Sequence, residues 1–191
     1  NNSVIEDGDL VLVDAGAEYE FYAADITRTF PINGVFSDEQ RAIYEIVFEA
    51  QAAAIKEVRS GNAWDDPHKA AVRIISEGLV DLQILTGMVE DLVESEAYRP
   101  YFMHKTGHWL GMDVHDVGEY KIDNKWRNLE PGMVTTVEPG IYLSRDIPGL
   151  DPKWFDIGVR IEDDVLVTNT GNEVITSGVP KVISEIEGLM S

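Results

Sequence analysis

Four carboxylates, Asp14, Asp25, Glu138 and Glu162, lie in runs that read as β-strands: VLVDAG, ADITRTF, VTTVEPGIY and GVRIEDD. These runs are rich in β-branched and apolar residues, the composition of strands that are at least half buried. A charge in such a setting is costly without a partner. Strands that aim four carboxylates at one place would repel each other strongly. A pair of divalent cations is the simplest way to offset that repulsion. The expectation is a sheet in which distant parts of the chain bring these acids together.

Between the two pairs of acids, His104 to His115 reads HKTGHWLGMDVH and holds three of the four histidines. Asp14 and Asp25 are eleven apart, which fits successive strands of a hairpin whose tight turn brings both carboxylates to one end of the sheet. Glu138 and Glu162 read as residues of neighbouring strands, and His108 would add a nitrogen. Oxygen-rich ligation with one imidazole suits Mn, Co, Fe or Zn rather than Cu(I). Two such ions about 3.5–4 Å apart, bridged by carboxylates, lower the pKa of a shared water. The residues alone leave alternatives open. A lone strand Asp is commonly a turn or edge residue, and His108 reads equally as a half-buried structural histidine. Asp113, Asp116, Asp156, Asp163 and Asp164 resemble the ligands in type, and spacing does not choose among them. His68, after Pro67 at a helix start, reads as a solvated surface residue.

Along the chain, the pattern predicts a turn and strand over 4–13, a second strand over 19–30 and a turn at Asn33-Gly34. Ser37 with Gln40 forms a capping box, opening a helix that runs to Ser60 before Gly61. Its apolar stripe is Ile43, Ile46, Val47, Ala50 and Ala54. A second helix has Asp66 as N-cap and Pro67 at its first position, turns Ala70, Ala71, Ile74 and Ile75 inward, and meets Gly78 as an end or a bend. A short helix is expected over 88–95, strands over 102–104, 113–115, 133–143 and 157–168, and an amphipathic helix over 180–190. No linker, repeat or low-complexity tract interrupts residues 1–191, so a single domain is expected.

Composition narrows the partners. At 191 residues and 44% hydrophobic content the chain can bury a sizeable core. Fifteen basic against 35 acidic residues give a net charge of −20, which argues against nucleic acid or an anionic membrane surface. There is no cysteine, hence no disulfide framework or thiolate chemistry. No apolar run reaches the roughly 18 residues of a membrane helix. The opening NNSVIEDGDLV lacks a starting Met and the form of a signal peptide, and reads as the start of an excised piece.

Taken in order, VDAG–x8–DITRTFPING, HWLGMDVHDVG, EPGMVTTVEPGIY and IGVRIEDDVLVT resemble the metal-dependent aminopeptidase P family. The resemblance runs from about Glu6 to Met190. It implies an α+β pita-bread fold, a curved and mostly antiparallel sheet with helices on its outer face, with the N-terminal part missing. It also implies Asp14, Asp25, His108, Glu138 and Glu162 as metal ligands, with Asp25 and Glu162 bridging two divalent ions, manganese being the expected metal. A bridging hydroxide would attack the carbonyl before a proline, and Glu138 would pass the proton to the leaving nitrogen. His115 would donate to the developing oxyanion, and His104 and Tyr142 would line the substrate pocket. Arg160, two residues before Glu162, would share its face beside the metals. A family arginine between His115 and Glu138 has two candidates, Lys125 and Arg127.

The resemblance implies a metallo-aminopeptidase acting on peptides with Xaa-Pro N-termini. The alternatives are an Xaa-Pro dipeptidase (prolidase), disfavoured by the HWLG motif, and a non-catalytic pita-bread module that binds peptides or proteins. The second alternative and metal-free creatinase-type hydrolysis both conflict with a complete ligand set. The expected setting is the cytoplasm. The expected assembly is a homo-oligomer in which another copy covers an apolar face left bare by the missing part.

Overall fold

The computed structural model describes residues 4–190, so Asn1 to Ser3 of the opening stretch and Ser191 lie outside it. Strand β1 (Leu10–Ala15) pairs antiparallel with β4 (Ile26–Pro31), and Asp14 faces Thr27 across the pair. Between them β2 (Glu18–Tyr19) and β3 (Tyr22–Ala23) form a small hairpin. The single strand expected over 19–30 is therefore broken. The chain reverses at Glu20 and Phe21, both in the left-handed region (φ 48° and 66°), with no glycine to announce it.

Helix α1 (Asp38–Glu57) begins with the expected capping box: Gln40 N donates to Ser37 Oγ at 3.2 Å and Ser37 N to Gln40 Oε1 at 3.0 Å. It ends three residues before the expected Ser60. Helix α2 (Asp66–Asp81) has Asp65 rather than Asp66 at its N-cap, so Pro67 stands one place deeper. Gly78 neither ends nor bends it. A Cβ there would lie 2.6 Å from Ile46, so the glycine lets α1 and α2 approach closely. A short α3 (Val89–Glu94) follows.

Residues 102–104 and 113–115 are irregular rather than strands. The segment between them runs beside β7 (Val134–Val137): Thr136 N donates to His108 O at 3.1 Å and Glu138 N to Thr106 O at 2.8 Å. A small hairpin of β5 (Lys121–Ile122) and β6 (Lys125–Trp126) precedes it. The run expected over 133–143 is β7 and β8 (Gly140–Leu143), interrupted at Glu138-Pro139, where proline offers no N–H. The run over 157–168 is β9 (Ile157–Arg160) and β10 (Asp163–Val167), interrupted at Ile161-Glu162. The two breaks face each other, because β7 pairs with β10 and β8 with β9. Strand β11 (Asn172–Val174) extends the β10 edge, and α4 (Ile183–Met190) ends the described chain. Every strand pair is antiparallel, as an α+β fold of this kind requires.

Alternation sorts the two faces of this sheet. Val137, Ile141, Leu143, Val159 and Ile161 point toward α1 and join Ile43, Val47, Ala50, Ala54, Ala71, Ile75 and Leu79 in the core. Of the residues expected inward, Ile46, Ala70 and Ile74 are only partly buried. The core is tightly closed: Ile161 is wholly buried, and truncating it to alanine would cost about 2–5 kcal/mol. Glu138, Tyr142, Arg160 and Glu162 alternate with these residues and share the opposite face.

Candidate metal centre

On that face the ionisable side chains converge. Donor atoms of Asp14, Asp25 and Glu162 lie within 4.8 Å of one another, as do those of His108, Glu138 and Glu162, and those of Asp25, His108 and His115. Asp25, His108 and Glu162 each belong to two of the three groups, and of these the two carboxylates have the second oxygen that a bridging ligand needs. His108 Nε2 lies 3.4 Å from Asp25 Oδ2 and 3.5 Å from Glu138 Oε1. Its Nδ1 is 3.0 Å from the Trp109 carbonyl, which accepts a hydrogen bond from Nδ1–H, so Nε2 is the nitrogen turned to the carboxylates.

Threonines aim the carboxylates. Thr27 Oγ1 donates to Glu162 Oε2 at 2.5 Å, and Thr136 Oγ1 donates to Glu138 Oε1 at 3.2 Å. Thr136 Oγ1 also accepts from His108 N at 3.1 Å. Beneath Asp25, its backbone N–H donates to Asp164 Oδ2 at 3.1 Å. Of these three supporting residues the sequence marks Asp164 alone by residue type, as an acid resembling the ligands. The two-residue alternation of DITRTF signals Thr27, because it shares the face of Asp25.

The charges are poorly matched within the protein. Burial, then the Glu138 charge, pushes Glu162 up to about 8. Burial pushes Glu138 up to about 7, although Arg160 pulls the other way. Asp25 is raised by burial and by the hydrogen bond it shares with Asp14. Burial thus disfavours the charged forms of these carboxyls, and a divalent ion would supply the missing positive charge. Asp14 departs from the expected buried setting: its side chain is 49% exposed at the end of β1, held by Arg160 Nη2 at 2.5 Å.

A polar chain leads away from this cluster. Arg160 Nη1 donates to Tyr142 Oη at 3.1 Å, and Tyr142 Oη lies 2.8 Å from His104 Nε2. Burial lowers the His104 pKa, and its Nδ1 sits 2.7 Å from the Lys105 carbonyl. His115 is exposed and stacks edge-on against His108, with ring centroids 4.2 Å apart. All nine residues singled out by the resemblance thus gather in one region. Lys125 and Arg127 do not join it: Lys125 is exposed in the β5–β6 hairpin, and Arg127 pairs with Glu130 at 3.7 Å.

His68 is not the solvated residue expected. Its Nδ1 is 2.8 Å from Thr106 Oγ1, its ring packs on Phe102, and burial lowers its pKa to about 4. Of the other acids resembling ligands, Asp163 is wholly buried on the helix side and bound to Arg28 and Lys181.

Residues 1–169 match metallopeptidase family M24. The chain is 54% identical to an Xaa-Pro aminopeptidase of Haemophilus influenzae, all of this chain aligning with 44% of that protein. It is 51% identical to the Escherichia coli Xaa-Pro aminopeptidase over 43% of that protein. Its structure superposes on Pseudomonas aeruginosa aminopeptidase PepP with a TM-score of 0.98 and 58% identity, covering all of this chain and 43% of that one. It also superposes on Escherichia coli aminopeptidase P with the inhibitor Pro-Leu, at a TM-score of 0.93 and 51% identity, covering 97% of this chain and 42% of that one. The chain thus spans less than half the length of these relatives.

Proposed function

The chain belongs to metallopeptidase family M24, and from that premise we propose that it carries the metal site of an Xaa-Pro aminopeptidase. The substrates are peptides with proline in second position, from which the protein releases the N-terminal residue. The observation that carries this reading is the overlap of the three donor groups through Asp25, His108 and Glu162, of which Asp25 and Glu162 are carboxylates able to bridge. We assign Asp14 with the two shared carboxylates to one cation, and His108 and Glu138 with the same two to a second. The oxygen-rich donor set favours manganese among the borderline ions. Two ions there would supply Lewis-acid polarisation of the amide carbonyl and a water acidic enough to attack near neutral pH.

The remaining tasks fall to the protein. Glu138, raised to about 7, is poised to take a proton at its carboxylate and return it to the leaving proline nitrogen. His115 faces the open side of the cluster and is placed to donate to the oxygen that gains charge. Arg160 neutralises Asp14 and, through Tyr142, orients His104 at the edge of the site, where the pair would hold the peptide. Self-association belongs to the same reading: Tyr22, Met112 and Val117 are exposed along one groove that a second copy would cover.

The test is an assay of the intact protein on Xaa-Pro-Yaa tripeptides and Xaa-Pro dipeptides, with Mn²⁺ and with EDTA. Mn²⁺-dependent cleavage of tripeptides is expected. Cleavage confined to dipeptides would replace the reading with a prolidase, and binding without cleavage would replace it with a peptide-binding module.

A further inference from the structure

Glu162 sits in the break between β9 and β10, outside the ladders that β9 forms with β8 and β10 with β7, so neither ladder fixes its backbone. Strand β4 fixes it instead. Glu162 N donates to Thr27 O at 3.1 Å, and Glu162 O accepts from Arg28 Nη1 at 2.6 Å. Thr27 and Arg28 are consecutive and leave opposite faces. Thr27 holds the carboxylate on the metal side, while the Arg28 guanidinium crosses to the helix side.

Arg28 is 8% exposed and makes five hydrogen bonds. Besides Glu162 O, it reaches Thr27 O at 2.9 Å, Pro180 O at 3.0 Å, Val179 O at 2.8 Å and Asp163 Oδ1 at 2.8 Å. Asp163 also accepts from Lys181 Nζ at 2.6 Å, Thr176 Oγ1 at 2.8 Å and Gln51 Nε2 at 3.1 Å. One guanidinium therefore ties together β4, the break at Glu162 and the segment 179–181. That segment takes no part in the site itself.

We propose that Arg28, paired with Asp163, which Lys181 also binds, is a positioning residue for Glu162, and that docking of residues 179–181 on the helix side is coupled to cation binding on the other face. The inference rests on the metal-centre reading above. A carboxylate that must serve two ions needs both oxygens held in fixed directions, and rotation of the backbone at the break would swing them away. Groups that orient a ligand without touching the metal change affinity by about 10–100-fold when lost. Coupling is reciprocal, so a cation that selects this pose of Glu162 must in turn hold the segment down.

The test uses the intact protein with Lys181→Met and Arg28→Lys, titrated with Mn²⁺ by calorimetry at a temperature where circular dichroism shows each variant fully folded. The expected result is affinity lower by about 10-fold or more. In the unmodified protein, amide exchange over residues 176–186 is expected to slow when Mn²⁺ replaces EDTA. Should Arg28→Lys fail to fold, Lys181→Met and the exchange measurement still decide. A network that only staples the fold would lower stability and leave the affinity of folded molecules unchanged. Folded Lys181→Met binding Mn²⁺ within twofold of the unmodified protein therefore overturns the inference alone. An unmodified protein that binds no divalent cation overturns the metal-centre reading and this inference with it.

Discussion

Glu162 and Asp163 are adjacent residues, 1% and 0% exposed, and their carboxyl groups leave opposite faces of one sheet. On the helix side, burial would raise Asp163, but hydrogen bonds and charge from Lys181 and Arg28 outweigh it and hold the carboxyl below its ordinary value. On the metal side, Glu162 forms no ion pair among the described residues and has the Thr27 hydroxyl as its hydrogen-bond partner, so burial and Glu138 leave it at about 8. A structural charge is compensated from within the chain; a charge meant for a cation is left short of compensation. The direction of the pKa shift separates these two neighbours where burial does not.

The largest test of that contrast is a pair of substitutions. Asp163→Asn removes the buried anion that Arg28 and the partly buried Lys181 share and should destabilise the protein by about 3–5 kcal/mol in urea unfolding. Glu162→Gln replaces a carboxyl that already carries a proton at pH 7, and in EDTA should change stability by less than about 1 kcal/mol while removing tight Mn²⁺ binding. Equal losses in the two variants would break the comparison.

The pH dependence sharpens it. In EDTA, Glu138 and Glu162 have folded pKa values of about 7 and about 8, above the ordinary 4.5. Between these limits the folded state binds more protons than the unfolded one, so stability falls as pH rises. The contribution of both groups is full below about pH 4.5 and is lost through about pH 7 to 8, a change of several kcal/mol. Asp163 has the opposite sign: its contribution is present above its ordinary value of 3.8 and is lost on acidification below that. Urea midpoints at pH 5 and pH 8.5 should therefore differ in EDTA, with the alkaline value lower. Mn²⁺ should reverse the order, because its ligands bind it deprotonated. Equal midpoints in EDTA would mean the metal-side acids are compensated after all.

Much of this site was legible in the sequence, for unequal reasons. The proposed ligands stood out through the family resemblance of their motifs, since strand context and spacing did not choose among the acids, and the capping box at Ser37 is a local signal that needs no tertiary contact. The breaks at Glu138-Pro139 and Ile161-Glu162 were hidden, since continuous β-forming runs give no sign of where facing strands part. His104 to His115 resembled strand at its ends, yet its polar groups are satisfied along the edge of β7 and it stays irregular. His68 was misjudged because its burial depends on Thr106 and Phe102, more than thirty residues away. The Arg28–Asp163–Lys181 network was invisible for the same reason: it joins segments separated by up to 153 positions.

The smallest effect concerns the rim of the metal side. Tyr142→Phe removes the hydroxyl that joins Arg160 to His104 and should change stability by about 1 kcal/mol. It should raise KM for an Xaa-Pro-Yaa peptide by about tenfold while leaving Mn²⁺ affinity unaltered, since Tyr142 touches no carboxylate of the cluster. A fall in Mn²⁺ affinity would move Tyr142 from the substrate side to the support of the metal.

The central claim is that the metal-side acids await two cations. A crystal of the intact protein grown with Mn²⁺, with anomalous scattering recorded at the manganese edge, tests it most directly. The account predicts two peaks about 3.5–4 Å apart, both contacted by Asp25 and Glu162. Asp14 should complete one, and His108 with Glu138 the other, while Asp163 keeps its pairs with Arg28 and Lys181. A single peak, or two peaks that Glu162 does not share, would contradict it.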